Sequence, residues 1–159
     1  MSLGRRTERQ EPLWVSCHEM PESPGNPFYQ KLNGILEKDG FDAFVENLCA
    51  PYYAGNVGRR SIPPGRYFRM LLLGYFEGID SERGICWRLR DSPPVRDFVG
   101  LGLTEWVPDH SSMTRIRQRL PLEVYRQVFG HLQGLLVQKS CFRARSCRTV
   151  SGYRRRTGR

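Results

Sequence analysis

The chain has 159 residues, 39% of them hydrophobic and 11% aromatic, enough to fold as one domain around a single core. No apolar run approaches the roughly 20 residues that cross a bilayer, and no apolar segment follows the basic N-terminus, so neither a membrane span nor a secretory signal is expected and the predicted location is cytoplasmic. The formal net charge is +9, yet residues 141–159 hold seven arginines and no acid; the remaining 25 − 7 = 18 basic residues against 16 acidic ones leave only +2 for residues 1–140, so total charge is weak evidence for a nucleic-acid partner.

Residues 1–26 are polar and proline-bearing (Pro12, Pro21, Pro24) and are expected to form an irregular arm. From Asn26-Pro27 a helical pattern runs through Phe28, Leu32, Ile35 and Leu36 until Gly40 breaks it. A second helix through Phe41, Phe44, Val45 and Leu48 ends before Pro51, and PYYAGNVGRR has the composition of a loop. Ser61 is predicted to cap the next helix, whose apolar stretch Tyr67–Phe76 implies neighbours on most sides. After Gly78, Asp80 or Ser81 caps a helix that turns Ile85 and Leu89 inward and Arg83, Arg88 and Arg90 outward; Ser92-Pro93 opens a short one carrying Val95, Phe98 and Val99. Beyond the turn-rich LGLTEWVPDH, Ser111 is expected to cap a helix with Met113, Ile116 and Leu120 at helical spacing. Pro121 opens the last helix, with Leu122, Tyr125, Phe129, Leu132, Leu135 and Leu136 as its apolar set. No alternating strand pattern appears. The predicted fold is an all-α bundle of about six or seven short helices over residues 27–140, followed at 141–159 by a basic tail without apolar period, expected to be disordered.

The five cysteines form no CxxC, and His18, His110 and His131 complete no zinc pattern, so no metal site and no cofactor are expected. Cys49 and Cys86 fall in apolar-periodic stretches, where a free buried thiol is the usual outcome. The aromatics Tyr67, Phe68, Tyr75, Phe76, Trp87 and Phe98 sit at core spacing rather than as stacking platforms for bases.

The stretch PDHSSMTRIRQRL is the most informative. On a helix, Ser111, Thr114, Arg115, Gln118 and Arg119 point away from the apolar stripe, with Arg117 beside it and Ser112 near the N-terminus. Arginine and glutamine can make bidentate contacts to guanine and adenine edges in the major groove, and a free helix N-terminus favours phosphate. The helix from Ser81 to Asp91 could support it in a helix-turn-helix-like unit, although the connection is long for that motif. A solvated amphipathic helix is the alternative. Asp109-His110 suggests capping of the helix entrance rather than acid–base chemistry, since no nucleophile motif accompanies it. Arg59 and Arg60, in a glycine-bearing loop, are further candidates for phosphate contact.

Taken in order, RMLLLGYFEGIDSERGICWRLRDSPPVRDFVGL and VPDHSSMTRIRQRL resemble the N-terminal domain of bacterial insertion-sequence transposases of the DDE, RNase H-like class, in the group related to insertion sequence five. The resemblance spans about Asn26 to Lys139. It implies a domain that binds the inverted-repeat ends of the element as double-stranded DNA, with a homodimer or a mixed dimer with intact transposase as partner and no small-molecule substrate. In that family a following domain cuts and joins DNA through carboxylates that gather divalent metal ions. No Asp or Glu follows Glu123 in this chain, so no catalytic residue is carried over, and the expected function is DNA binding by a truncated transposase, without cleavage or strand transfer. A frameshift near Ser140 is the expected origin of the tail; translation of the other two reading frames tests it. The alternatives are a regulatory inhibitor of an intact transposase and a helix-turn-helix transcriptional regulator.

Overall fold

The structure, a computed structural model, describes residues 25–53 and 61–138. Arg59, Arg60, most of the expected arm and the whole tail therefore lie outside the described residues. Within them are seven α-helices and no strand: α1 (Pro27–Asp39), α2 (Phe41–Cys49), α3 (Pro64–Glu77), α4 (Glu82–Asp91), α5 (Pro93–Val99), α6 (His110–Arg119) and α7 (Leu122–Gln138), with a 3-10 turn at Ala50–Tyr52 after α2. The all-α bundle is as predicted.

Local signals explain most boundaries. The Asn26 side chain accepts a hydrogen bond from the Phe28 amide at 3.0 Å, with Pro27 at the first helical position. Gly40 joins α1 to α2 at φ 71°, a left-handed conformation in which a side chain would be strained. The Ser81 hydroxyl accepts from the Gly84 amide at 3.0 Å and caps α4. Two expected caps are corrected. The residue preceding α3 is Pro63, with no side-chain cap bond, and Ser61 lies outside the helix start. The cap of α6 is Asp109, in line with the capping reading of Asp109-His110, and not Ser111; its carboxylate accepts from the Ser111 amide at 3.2 Å.

Helix α3 is the centre. Tyr67, Phe68, Met70 and Leu73 on it are fully buried, against Phe41 and Val45 of α2, Leu89 of α4 and Phe98 of α5 in one continuous core. Arg69, only 5% exposed, ties four helices together. Its Nε and Nη2 donate to the two Asp42 carboxylate oxygens, each at 2.9 Å. Its Nη1 donates to the Phe98 carbonyl at 2.9 Å and to the Asn33 side-chain oxygen. That pairing needs α2 close to α3, and Gly65 permits it: a Cβ there would stand 2.6 Å from Asp42 Oδ1.

Three expectations about facing are corrected. Tyr75 is 77% and Trp87 57% exposed, not core. The buried set of α4 is Ile85, Cys86 and Leu89, which turns position 87 outward, and Tyr75 falls outside the buried set of α3. On α7 the buried stripe is Val124, Val128, Leu132 and Leu135, leaving Leu122 and Phe129 exposed. Val124 and Val128 take the core positions in the helix's first half, Leu132 and Leu135 are buried as expected in its second, and Tyr125 meets Tyr67 hydroxyl to hydroxyl at 2.9 Å. Cys49 and Cys86 are buried free thiols, as expected; burial pushes each up to about 11.

Candidate nucleic-acid interface

Helix α6 is positioned by its apolar stripe. Met113, Ile116 and the following Leu120 are buried, as their spacing predicts. The stripe packs on α4, with Cys86 Sγ 3.9 Å from Met113 Sδ. One turn away, Glu82 of α4 receives two residues of α6. The Thr114 hydroxyl donates to Glu82 Oε2, and Arg117 Nη1 lies 3.3 Å from Glu82 Oε1. Glu82 thus faces Thr114 and Arg117 while Cys86 faces Met113. Eighteen residues (92–109), including all of α5, separate the two helices in sequence.

This contact sorts the candidate residues. Thr114 was expected on the outward face; instead its hydroxyl is held between Glu82 and the His110 carbonyl, at 3.1 Å from the latter. A threonine one helical step from the apolar stripe finds a half-buried carboxylate before it finds water. Arg117, mostly exposed, is steered by the same carboxylate. Ser111 and Ser112 are half-buried in the first turn. Arg115, Gln118 and Arg119 form the outward face, at relative positions i, i+3 and i+4. Arg115 and Gln118 have no hydrogen-bonding or ionic partner among the described residues, whereas the Arg119 guanidinium lies 4.9 Å from the centre of the Tyr53 ring.

Arg115 and Arg119 line a groove of about 680 Å³ between α6, the start of α3 and the loop before α6, together with Ser111, Ser112, Arg66 and Trp106. Its lining carries three arginines (Arg66, Arg115, Arg119) and two carboxylates (Glu105, Asp109). Arg66 and Glu105 neutralise each other at 2.5 Å, which leaves Arg115 and Arg119 against Asp109. The Asp109 carboxyl is held at about 2, chiefly by hydrogen bonding from the Ser111 hydroxyl and amide, with His110 alongside at 3.0 Å. It is therefore ionised at neutral pH and takes one of the helix's free N–H groups. A phosphate at the N-terminus, as the helix dipole alone would suggest, meets a fixed negative charge there; the positive potential lies further along, at Arg115 and Arg119.

The sequence pattern did not indicate the loop that forms the far wall. Arg96 donates to the carbonyls of Gly102, at 2.5 Å, of Leu103 and of Glu105, and Arg66 reaches the Gly100 carbonyl at 2.6 Å. Glu105 closes the turn by accepting from the Gly102 amide at 3.3 Å. Next to this strapped turn, Trp106 is 93% exposed. An indole in a polar stretch, TEWVPDH, was the available signal for it. Among the described residues no cluster of His, Cys, Asp or Glu could hold a metal ion, and no helix is long and apolar enough to cross a membrane.

A family model for a transposase domain (DUF772) matches residues 17–119, a span that ends on the last residue of α6. No curated protein and no solved structure matches the chain.

Proposed function

The chain belongs to the transposase-domain family, and from that premise we propose that it binds double-stranded DNA at the terminal inverted repeats of a mobile element. Helix α6 enters the major groove and α4 braces it, a helix-turn-helix-like arrangement with α5 inserted in the connection. The observation that carries this reading is the outward row of Arg115, Gln118 and Arg119 on a helix whose other side is fixed by Met113, Ile116 and Glu82. Side chains of these types in that geometry can approach base edges, while Ser111 and Ser112 are assigned to sugar contacts, which the neighbouring Asp109 charge does not oppose. Thr114 and Arg117 orient the helix through Glu82. Arg59 and Arg60 are assigned to the phosphate backbone; the described residues that flank 54–60 in sequence, Tyr53 and Ser61, border Arg119 and the groove.

In this reading the unit is residues 27–140, and cutting and joining belong to another domain. Among the described carboxylates, Asp42 pairs with Arg69, Glu77 with Arg88, Glu82 with Arg117, Glu105 with Arg66 and Glu123 with Arg126, each assigned a structural role. Self-association, or pairing with an intact transposase in a regulatory role, is supported by Leu122 and Val137, left exposed on α7. A cytoplasmic location accords with a DNA partner.

The test is titration of the full chain against a duplex of the element's terminal repeat and a scrambled duplex of equal length. Arg115→Ala and Arg119→Ala are each expected to weaken repeat binding by about 1–3 kcal/mol while reducing scrambled-duplex binding far less. Unchanged repeat affinity in variants with wild-type circular dichroism would remove α6 from the interface. Equal affinity of the wild type for both duplexes would refute repeat recognition, and preference for an upstream operator would make the protein a transcriptional regulator.

A further inference from the structure

An exposed tryptophan is costly to keep in water, since a ring of this kind buries on the order of 150–250 Å² when it finds a partner. Trp106 is almost wholly exposed, yet its backbone is not loose. The turn before it is tied by Arg96 to three carbonyls and by Arg66 to the Glu105 side chain and the Gly100 carbonyl. After it, Val107 packs against the core and Asp109 caps α6. The protein thus holds a bare indole at the rim of a groove that contains two arginines without carboxylate partners among the described residues.

We propose that this groove takes an unpaired nucleotide at a DNA end, its base stacked on Trp106 at the rim and its backbone continuous with the duplex that Arg115 and Arg119 contact. The inference rests on the duplex-binding reading above and adds a substrate feature to it, a single-stranded extension next to the duplex that α6 contacts. Three properties of the site support a nucleotide over a purely ionic ligand. The lining around Trp106 includes apolar Ile62, Val107 and Pro108, which offer a base little but contact area. The carboxylate of Asp109 disfavours a phosphate near the loop, but a neutral base tolerates it. The volume of about 680 Å³ falls within the range of sites for single small ligands, about 300–1,000 Å³. Stacking on an aromatic ring tolerates any base, so the site reads the presence of an unpaired end rather than its sequence.

The experiment compares three probes with the full chain: a blunt terminal-repeat duplex, the same duplex with a four-nucleotide 3′ or 5′ extension, and that extended duplex with abasic sites in the extension. Wild type is expected to bind the base-bearing extension about ten-fold more tightly than the blunt duplex, as one stacked base provides, and the abasic one with little gain. Trp106→Ala should abolish the preference and leave blunt-duplex affinity unchanged; Trp106→Phe should retain most of it. Because Trp106 packs against almost nothing, the alanine variant should keep the wild-type thermal melt. Equal gains from base-bearing and abasic extensions would show attraction by charge alone and overturn the proposal, as would a loss in Trp106→Ala that is the same on all three probes. A change in sedimentation of Trp106→Ala with no change in DNA affinity would assign the indole to a protein contact instead. Good blunt-duplex binding without any preference overturns this inference alone; absence of duplex binding by the wild type overturns the reading it rests on.

Discussion

Asp109 caps α6 with its carboxylate and so places a negative charge at the mouth of a groove whose other unpaired charges are positive. Asparagine caps a helix about as well as aspartate but carries no charge. Asp109→Asn should therefore keep the helix while raising affinity for duplex DNA about two- to five-fold at low salt, an advantage that screening erodes as salt rises. Fluorescence anisotropy over a salt series checks this. The pH dependence has a definite sign. The folded-state carboxyl, held at about 2, lies below its ordinary value near 3.9, so its contribution to stability is complete above about pH 4 and is lost as pH falls toward 2. The difference in melting temperature between wild type and Asp109→Asn should be constant from neutral pH down to about 4 and change only below it. A difference that varies between pH 5 and 7 would refute the assignment to the Asp109 carboxyl.

At the scale of elements, α6 was largely legible because its apolar residues keep one period and its polar ones leave few alternatives. What the period could not supply was the partner across the interface. Thr114 is equally plausible outward or against a neighbour, and only the approach of α4 brings Glu82 to it. The same limit explains the first half of α7, where the pattern favours Leu122 and Phe129 and the fold buries Val124 and Val128 instead; Leu132 and Leu135 are buried as their spacing predicts. It also explains Arg69, which the sequence shows as a charge beside an apolar run and the fold makes the joint of four helices. The strapped loop lay beyond periodicity altogether, since its bonds run from Arg66 and Arg96 to backbone carbonyls. The Thr114 contact makes a separable prediction. Thr114→Val keeps shape but leaves Glu82 with one donor fewer, and should cost about 1–2 kcal/mol of stability in urea unfolding. Duplex affinity of the folded fraction should change less than two-fold. A large loss of affinity with stability unchanged would return Thr114 to the DNA-facing side.

For the whole molecule, charge and fold are distributed differently, and this separates two kinds of DNA affinity. The described helices hold the residues assigned to specific contact, whereas seven of the chain's 25 basic residues lie at 141–159, outside them. Arginines that only neutralise phosphate contribute through release of counterions, equally on any sequence, and each such contact adds about 0.9 to the slope of log affinity against log salt. Removal of residues 141–159 should therefore flatten that slope and lower affinity for a scrambled duplex at least as much as for the terminal repeat, so that the ratio between them stays the same or rises. Removal of Arg115 has the opposite signature: the ratio falls, and the slope moves by one contact at most. Titrations of both duplexes at three salt concentrations distinguish the two. If deletion of 141–159 instead collapses the ratio, the arginines there take part in reading the repeat, and specificity extends beyond the helical domain.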